Sequence, residues 1–187
     1  MSKAVLISIR PKWVEKIASG EKTIEVRKTK PKLDTPFKCY IYCTLPKYPH
    51  EDFIATDYPR PQFYGGGKVI GEFTCERIVP ITYDGGRLWC PTNAAFSPAT
   101  CLSQAEIIAY IGDKGRCHGW HISNLKIYDA PKKLVEFWRN CLEYSELSTN
   151  CWSCENVCGD GDETDCNTDG RLYLRRPPQS WCYVEEC

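Results

Sequence analysis

The chain begins with AVLISI (residues 4 to 9), a continuous apolar run with β-branched side chains that predicts a buried strand. The period then changes to that of a helix in PKWVEKIASG (11 to 20). Pro11 suits a first helical position, Trp13, Val14, Ile17 and Ala18 make an apolar stripe, and Gly20 supplies the stop. GEKTIEVRK (20 to 28) returns to period two, with Ile24 and Val26 alternating with Thr23, Glu25 and Arg27. The first 28 residues therefore read strand, short helix, strand.

FKCYIYCTL (37 to 45) predicts a third strand, ended by a proline-rich loop over 46 to 61. Gly65-Gly66-Gly67 leads into KVIGEFTCERIVPI (68 to 81), a strand with a bend at Gly71. SQAEIIAYIG (103 to 112) is a helix with a capping box, Ser103 at the cap and Glu106 three residues on, and Gly112 at its stop. CHGWHISNLKIYD (117 to 129) reads as a strand whose pattern slips: Trp120 and Ile122 share one parity, Leu125 and Ile127 the other. A β-bulge near Ser123 and Asn124 accounts for the slip. PKKLVEFWRN (131 to 140) reads as a helix or one turn of one, and RPPQSWCYVEE (176 to 186) as a last strand after a rigid Pro-Pro step. Five or six strands broken by two short helices predict an α+β, mainly β fold: a small, partly open barrel forming one domain over 1 to 187.

Composition narrows the setting. The length of 187 residues, with 42% hydrophobic and 26% charged residues, is that of a soluble globular domain. No apolar run reaches the length of a membrane span, and the N-terminal run is too short for a signal peptide, so the expected location is intracellular, in the cytoplasm. The formal net charge is zero but unevenly spread. Residues 1 to 38 carry ten Lys/Arg against four Asp/Glu, which suits an anionic partner such as RNA or a nucleotide. Residues 139 to 170 carry one Arg against eight acids, which suits a basic protein partner.

Thirteen cysteines in a chain expected to be intracellular point to thiolate–metal bonding before disulfides. Cys151, Cys154, Cys158 and Cys166 lie in an acidic, cysteine-rich insertion over 141 to 170, with Cys141 as a fifth candidate. Four thiolates around one ion make a closed, structural zinc site; the alternative is a set of reduced free thiols. The acids between them do not follow the calcium-loop pattern.

Other chemistries are poorly served. Only three histidines are present, there is no HExxH, and GGGK at 65 to 68 lacks the spacing of a phosphate-binding loop. His118 and His121 fall on opposite faces of one strand and share no metal. Aromatic residues are frequent, and Trp13, Trp120 and Trp181 lie in the elements beside the charged motif, where bases could stack. On the polar face of 20 to 28, Glu25 and Arg27 are two residues apart and close enough to pair. They form either a surface ion pair worth about 0–1 kcal/mol or, with Lys22, a set of groups reading one ligand.

LISIRPKWVEKIASGEKTIEVRK resembles the opening of ASCH domains of the PUA-like superfamily, whose mark is G-x-K-x-x-E-x-R, here Gly20, Lys22, Glu25 and Arg27. GKVIGEF (67 to 73) resembles the family's central strand, and GWHISNLKIYDAP and RPPQSWCYVEE resemble later blocks of its phage- and prophage-associated branch. The resemblance implies a β-barrel of five or six strands with a cleft beside the N-terminal helix and strand. It also implies binding of RNA or a modified nucleotide. In that reading Lys22 and Arg27 meet anionic oxygens, Glu25 accepts from a base edge, Trp13 or Trp120 stacks, and Ser8, Ser123 and Asn124 are polar neighbours. Some relatives hydrolyse acetylated cytidine or RNA, which makes Lys22, Thr23 and Glu25 the catalytic candidates. The amidohydrolase subgroup places its threonine nucleophile where this chain has Glu25.

Overall fold

The computed structural model describes residues 2–45, 53–54, 63–91, 96–140 and 171–186. Its elements in chain order are β1 (Lys3–Ile9), α1 (Pro11–Ala18), β2 (Ile24–Arg27), β3 (Phe37–Cys43), β4 (Phe53–Ile54), β5 (Phe63–Tyr64), β6 (Lys68–Tyr83) and β7 (Leu88–Trp89). They continue with α2 (Phe96–Thr100), α3 (Gln104–Ile111), β8 (Arg116–Lys133), β9 (Trp138–Asn140), β10 (Arg171–Tyr173) and β11 (Trp181–Glu185).

The opening apolar run is buried along its whole length because its two faces enter different cores. Val5, Ile7 and Ile9 pack with Val14, Ile17 and Ala18 of α1 and with Cys39, Ile41 and Cys43 of β3. Ala4 and Leu6 pack on the opposite side with Tyr40, Phe137 and Val184. A strand buried on both faces takes apolar residues on both rather than at every second position, as AVLISI does except at Ser8, whose buried hydroxyl donates to the Pro178 carbonyl. α1 starts at Pro11 as expected and stops at Gly20, whose φ of +79° is a left-handed conformation natural to glycine.

The main sheet runs β11-β1-β3-β6-β8-β2, with β7 attached to β6. Only β1 and β3 are parallel, and α1 with β2 supplies the crossover that a parallel pair requires. Among the described residues the hydrogen-bonded ladder does not close, leaving β11 and β2 as its ends. Side chains bridge those ends instead. Trp181 of β11 donates from Nε1 to Thr29 Oγ1, just past β2, at 3.0 Å. Lys32 donates its backbone N–H to the Tyr183 hydroxyl at 2.7 Å. The result is the partly open barrel anticipated from the strand pattern, with Trp120 packed between the rings of Phe37 (5.9 Å) and Trp181 (6.1 Å).

β6 and β8 bend where their sequences slip. Thr74 pairs with Ser123 and Glu72 with Lys126, so β8 carries one extra residue, and Asn124 sits at a φ of +49°. The bulge restores Ile122, Leu125 and Ile127 to one core despite their different parities. At Gly71 a Cβ would come within 2.4 Å of the Lys126 carbonyl oxygen, so the two backbones can cross only at glycine.

Of the two forms expected for residues 131–140, a helix or one turn of one, only the turn is present. Residues 131–140 do not form a helix: β8 runs on to Lys133, one 3-10 turn spans Leu134–Glu136, and β9 follows. Pairing of Lys132 and Lys133 with Val69 and Lys68 of β6 overrides the local helical spacing, and Leu134 and Phe137 plug the second core. The capping box of Ser103 and Glu106 is present, and α3 lays Ile107 and Ile111 over Val26, Val79, Ile81 and Cys117. No described helix is long and apolar enough to cross a membrane. The predicted zinc ligands and the acidic insertion over 141 to 170 lie outside the described residues, as does most of the proline-rich loop.

Candidate functional site

The motif Gly20, Lys22, Glu25, Arg27 places its three charges together and takes all of them nearly out of solvent: Lys22, Glu25 and Arg27 are 2, 6 and 9% exposed. β2 is buried on both faces, with Val26 beneath α3 and Glu25 and Arg27 turned to the barrel side opposite Trp120 and His118. The left-handed turn at Gly20 brings the chain back so that Lys22 N–H reaches the Lys16 carbonyl at 2.8 Å. Thr23 N–H donates to the Ala99 carbonyl at 2.9 Å, pinning α2 against the entry to β2.

Glu25 sits between two cations. Its Oε1 is 3.0 Å from Arg27 Nε and its Oε2 is 3.4 Å from Lys22 Nζ. The Arg27 Nε–H is not aimed along its short separation from Oε1, so that contact is an ion pair without a well-formed hydrogen bond. The guanidinium instead donates through Nη2 to the Ser8 carbonyl. Lys22 Nζ donates to the Thr100 carbonyl at 2.6 Å and lies 5.2 Å from the centroid of the Trp13 ring. Burial draws the Lys22 ammonium below its ordinary pKa; Glu25 opposes that shift and Arg27 adds to it. Two cations around one carboxylate leave an excess positive charge that an anionic ligand would offset.

The structure gathers Ser8, Trp13, Lys22, Glu25, Arg27 and Trp120 about this cluster. Ser8 contributes its carbonyl to Arg27, while its hydroxyl donates to the Pro178 carbonyl at 2.6 Å. Trp13 is half-buried with two ammonium groups near its ring, Lys12 at 4.7 Å and Lys22 at 5.2 Å. Trp120 is fully buried in the core, directly across the ladder from Glu25. Thr23 is exposed. Ser123 and Asn124 belong to the bulge further along β8, where Ser123 donates to the Thr74 carbonyl at 3.1 Å and Asn124 faces solvent. Sequence reasoning missed the carbonyls of Thr100 and Pro178, because a backbone acceptor leaves no mark in residue type. It also missed Cys101, beside Thr100, which is half-buried near Glu21 (Sγ to Oε1 3.7 Å) at a φ of +55°. Among the described residues no group of three or more His, Cys, Asp and Glu is placed to hold a metal.

Crystal structures of an ASCH protein from Zymomonas mobilis have a similar fold. A serine-to-alanine mutant of it matches over 98% of this chain and 89% of its own, with a TM-score of 0.53 and 18% identity. The protein without a stated substitution matches over 70% of this chain and 73% of its own, with a TM-score of 0.49 and 20% identity. A tyrosine-to-phenylalanine mutant matches over 71% and 77%, with a TM-score of 0.48 and 20% identity. No family profile and no curated protein matches the sequence. The likeness to the serine-to-alanine mutant over nearly the whole length of both chains shows that this chain has the fold of an ASCH protein.

Proposed function

We propose that this protein is an RNA- or modified-nucleotide-binding module whose ligand is held at Lys22, Glu25 and Arg27. The observation that carries the reading is the buried cluster of two cations around a single carboxylate. Such a cluster is costly to desolvate and contributes little as a structural device, since apolar residues of similar volume serve a core as well or better. Its excess positive charge fits a phosphate or a polarised carbonyl. Glu25 orients both cations and keeps lone pairs for an exocyclic amine. Membership of the prophage-associated branch is part of the same proposal, as is a structural zinc in the cysteine-rich insertion.

Isothermal titration with uridine and cytidine monophosphates tests it. Binding is expected to weaken at least tenfold in Arg27→Lys and in Lys22→Met, with thermal melting confirming that each variant is folded. Equal affinity in folded variants and wild type overturns the reading.

A hydrolytic reading is favoured by one feature, the lowered pKa of Lys22 beside the exposed hydroxyl-bearing Thr23. It requires turnover of acetylated cytidine or RNA that Lys22→Met abolishes.

A further inference from the structure

The Lys22 ammonium meets Glu25 on β2 at 3.4 Å, the Trp13 ring on α1 at 5.2 Å and the Thr100 carbonyl at the end of α2 at 2.6 Å. Two of these elements are fixed in the fold. β2 is laddered to β8, and α1 seats Val14, Ile17 and Ala18 in the first core. α2 has no such anchor among its described side chains: Pro98 is exposed, and Ala99 is half-buried and outside the three apolar cores. Thr100 is fully buried where its carbonyl meets Lys22. The chain is seated again just beyond, since Leu102, Ile107 and Ile111 pack with Val26, Val79 and Ile81. α2 is therefore the part of the wall around Lys22 that can yield.

The two carbonyls that α2 presents take two adjacent donors of the motif. Ala99 accepts from the Thr23 N–H at 2.9 Å, and Thr100 accepts from Lys22 Nζ at 2.6 Å. Consecutive oxygens on consecutive donors are the arrangement that a phosphate or carboxylate group makes with such a pair. A backbone carbonyl is neutral, and hydrogen bonds in which both partners are charged are the stronger ones. The oxygens of α2 are therefore weaker occupants of these donors than a charged ligand. Cys101 marks the hinge. Its φ of +55° is a left-handed conformation, uncommon for a residue with a Cβ and kept only where surrounding contacts enforce it. It lies between Thr100, which the motif holds, and Leu102, which the core holds. The contacts that keep α2 down also keep Cys101 strained, and lifting α2 relaxes it.

We propose that α2 is a self-inhibiting lid, hinged at Cys101, whose Ala99 and Thr100 carbonyls occupy the Thr23 N–H and the Lys22 ammonium until anionic oxygens of the ligand displace them. The proposal rests on the reading of Lys22, Glu25 and Arg27 as a ligand site and supplies its regulation. The apparent affinity of the site is set by the fraction of chains in which α2 is lifted.

Amide hydrogen exchange of the full chain, read by NMR and corrected for intrinsic rates, tests the lid without a ligand. The Thr23 amide, bonded to Ala99, should exchange about tenfold faster than the Ile122 amide, which donates to the Thr23 carbonyl at 2.9 Å. Fraying at the start of β2 would quicken both alike. Cys101→Val puts a branched Cβ at the positive φ and should quicken Thr23 by about fivefold while leaving Ile122 unchanged. Thermal melting checks that this variant is folded, and the wild-type comparison stands whether or not it is. Isothermal titration of the variant with uridine monophosphate should show an affinity raised by the same factor as Thr23 exchange, because both follow the lifted fraction. Thr23 and Ile122 exchanging together in both proteins overturns the lid and leaves the nucleotide site standing. Faster Thr23 exchange with unchanged monophosphate affinity shows that α2 moves without guarding the site, and it too overturns the proposal. The expected exchange without monophosphate binding to either protein upholds the hinged α2 and overturns the nucleotide reading.

Discussion

Arg27 of β2 donates to the backbone carbonyl of Ser8 in β1, although β3, β6 and β8 separate the two strands in the sheet. The contact exists because the sheet curls until its far end faces its beginning. It ties the charged motif to the parallel strand pair in the middle of the fold, and it makes the site a by-product of closing the barrel.

Removing the shared carboxylate should be more damaging than removing either cation. Glu25→Ala leaves Lys22 and Arg27 buried without a counter-ion, at a cost of about 3–5 kcal/mol. Arg27→Ala leaves the Lys22–Glu25 pair in place and should cost less, about 1–3 kcal/mol for the orphaned Ser8 carbonyl and lost packing. Urea denaturation of the two variants checks the order, and a Glu25→Ala protein as stable as Arg27→Ala contradicts it.

Gly71→Ala places a methyl group 2.4 Å from the Lys126 carbonyl oxygen, where backbone rather than a flexible side chain must move. A loss of about 1–3 kcal/mol is expected. Amide exchange should quicken on both β6 and β8 around the bulge, and exchange confined to β6 would contradict the close crossing.

Thiol reactivity should follow burial. Burial pushes the thiols of Cys75 and Cys117 up to about 12 and that of Cys39 well above its ordinary value. Cys101 is only half-buried, with a smaller rise. Alkylation at pH 8 followed by peptide mapping should modify Cys101 before these three, and equal rates in the folded protein would refute the ordering. The spacing of Cys151, Cys154, Cys158 and Cys166 predicts one zinc per purified chain, lost in Cys151→Ser/Cys154→Ser. Metal analysis finding none would assign free thiols.

Between pH 7.5 and 5.5 stability should fall. His118 and His121 both have folded-state pKa values below 6.5, mainly from burial. Lys30 and Arg116 add to the shift at His118; Arg77 adds to it at His121 and Glu76 opposes it. Below pH 6.5 the unfolded chain therefore binds protons that the folded chain resists, and the stability present above that pH is lost as it falls. Thermal melting should show the decline, and it should be shallower in His118→Gln/His121→Gln. A decline of the same slope in that variant excludes these two groups as its source.

Periodicity was enough to read β1, α1, β2, β3, β6, α3, β8 and β11, because each keeps at least one apolar face against a core, and β1, β3 and β11 keep two. The parity slip in HISNLKI disclosed the bulge at Asn124 for the same reason: three apolar residues had to reach one core from a strand whose pattern changed step. Of the helix or single turn read over residues 131–140 only a turn at Leu134–Glu136 forms, because the helical spacing competes with a ladder to β6, formed by residues some sixty positions away.

The charged motif divides in the same manner. Local sequence is sufficient to bring Gly20, Lys22, Glu25 and Arg27 together, since a left-handed stop and a two-residue strand period act over a few bonds. It does not state whether those charges face water or the protein interior. That depends on the curl of the sheet, which carries the Ser8 carbonyl to Arg27, and on α2, which brings the Thr100 carbonyl to Lys22. Burial is a property of what else arrives, and the arriving groups are backbone carbonyls from distant segments, which residue identity cannot reveal.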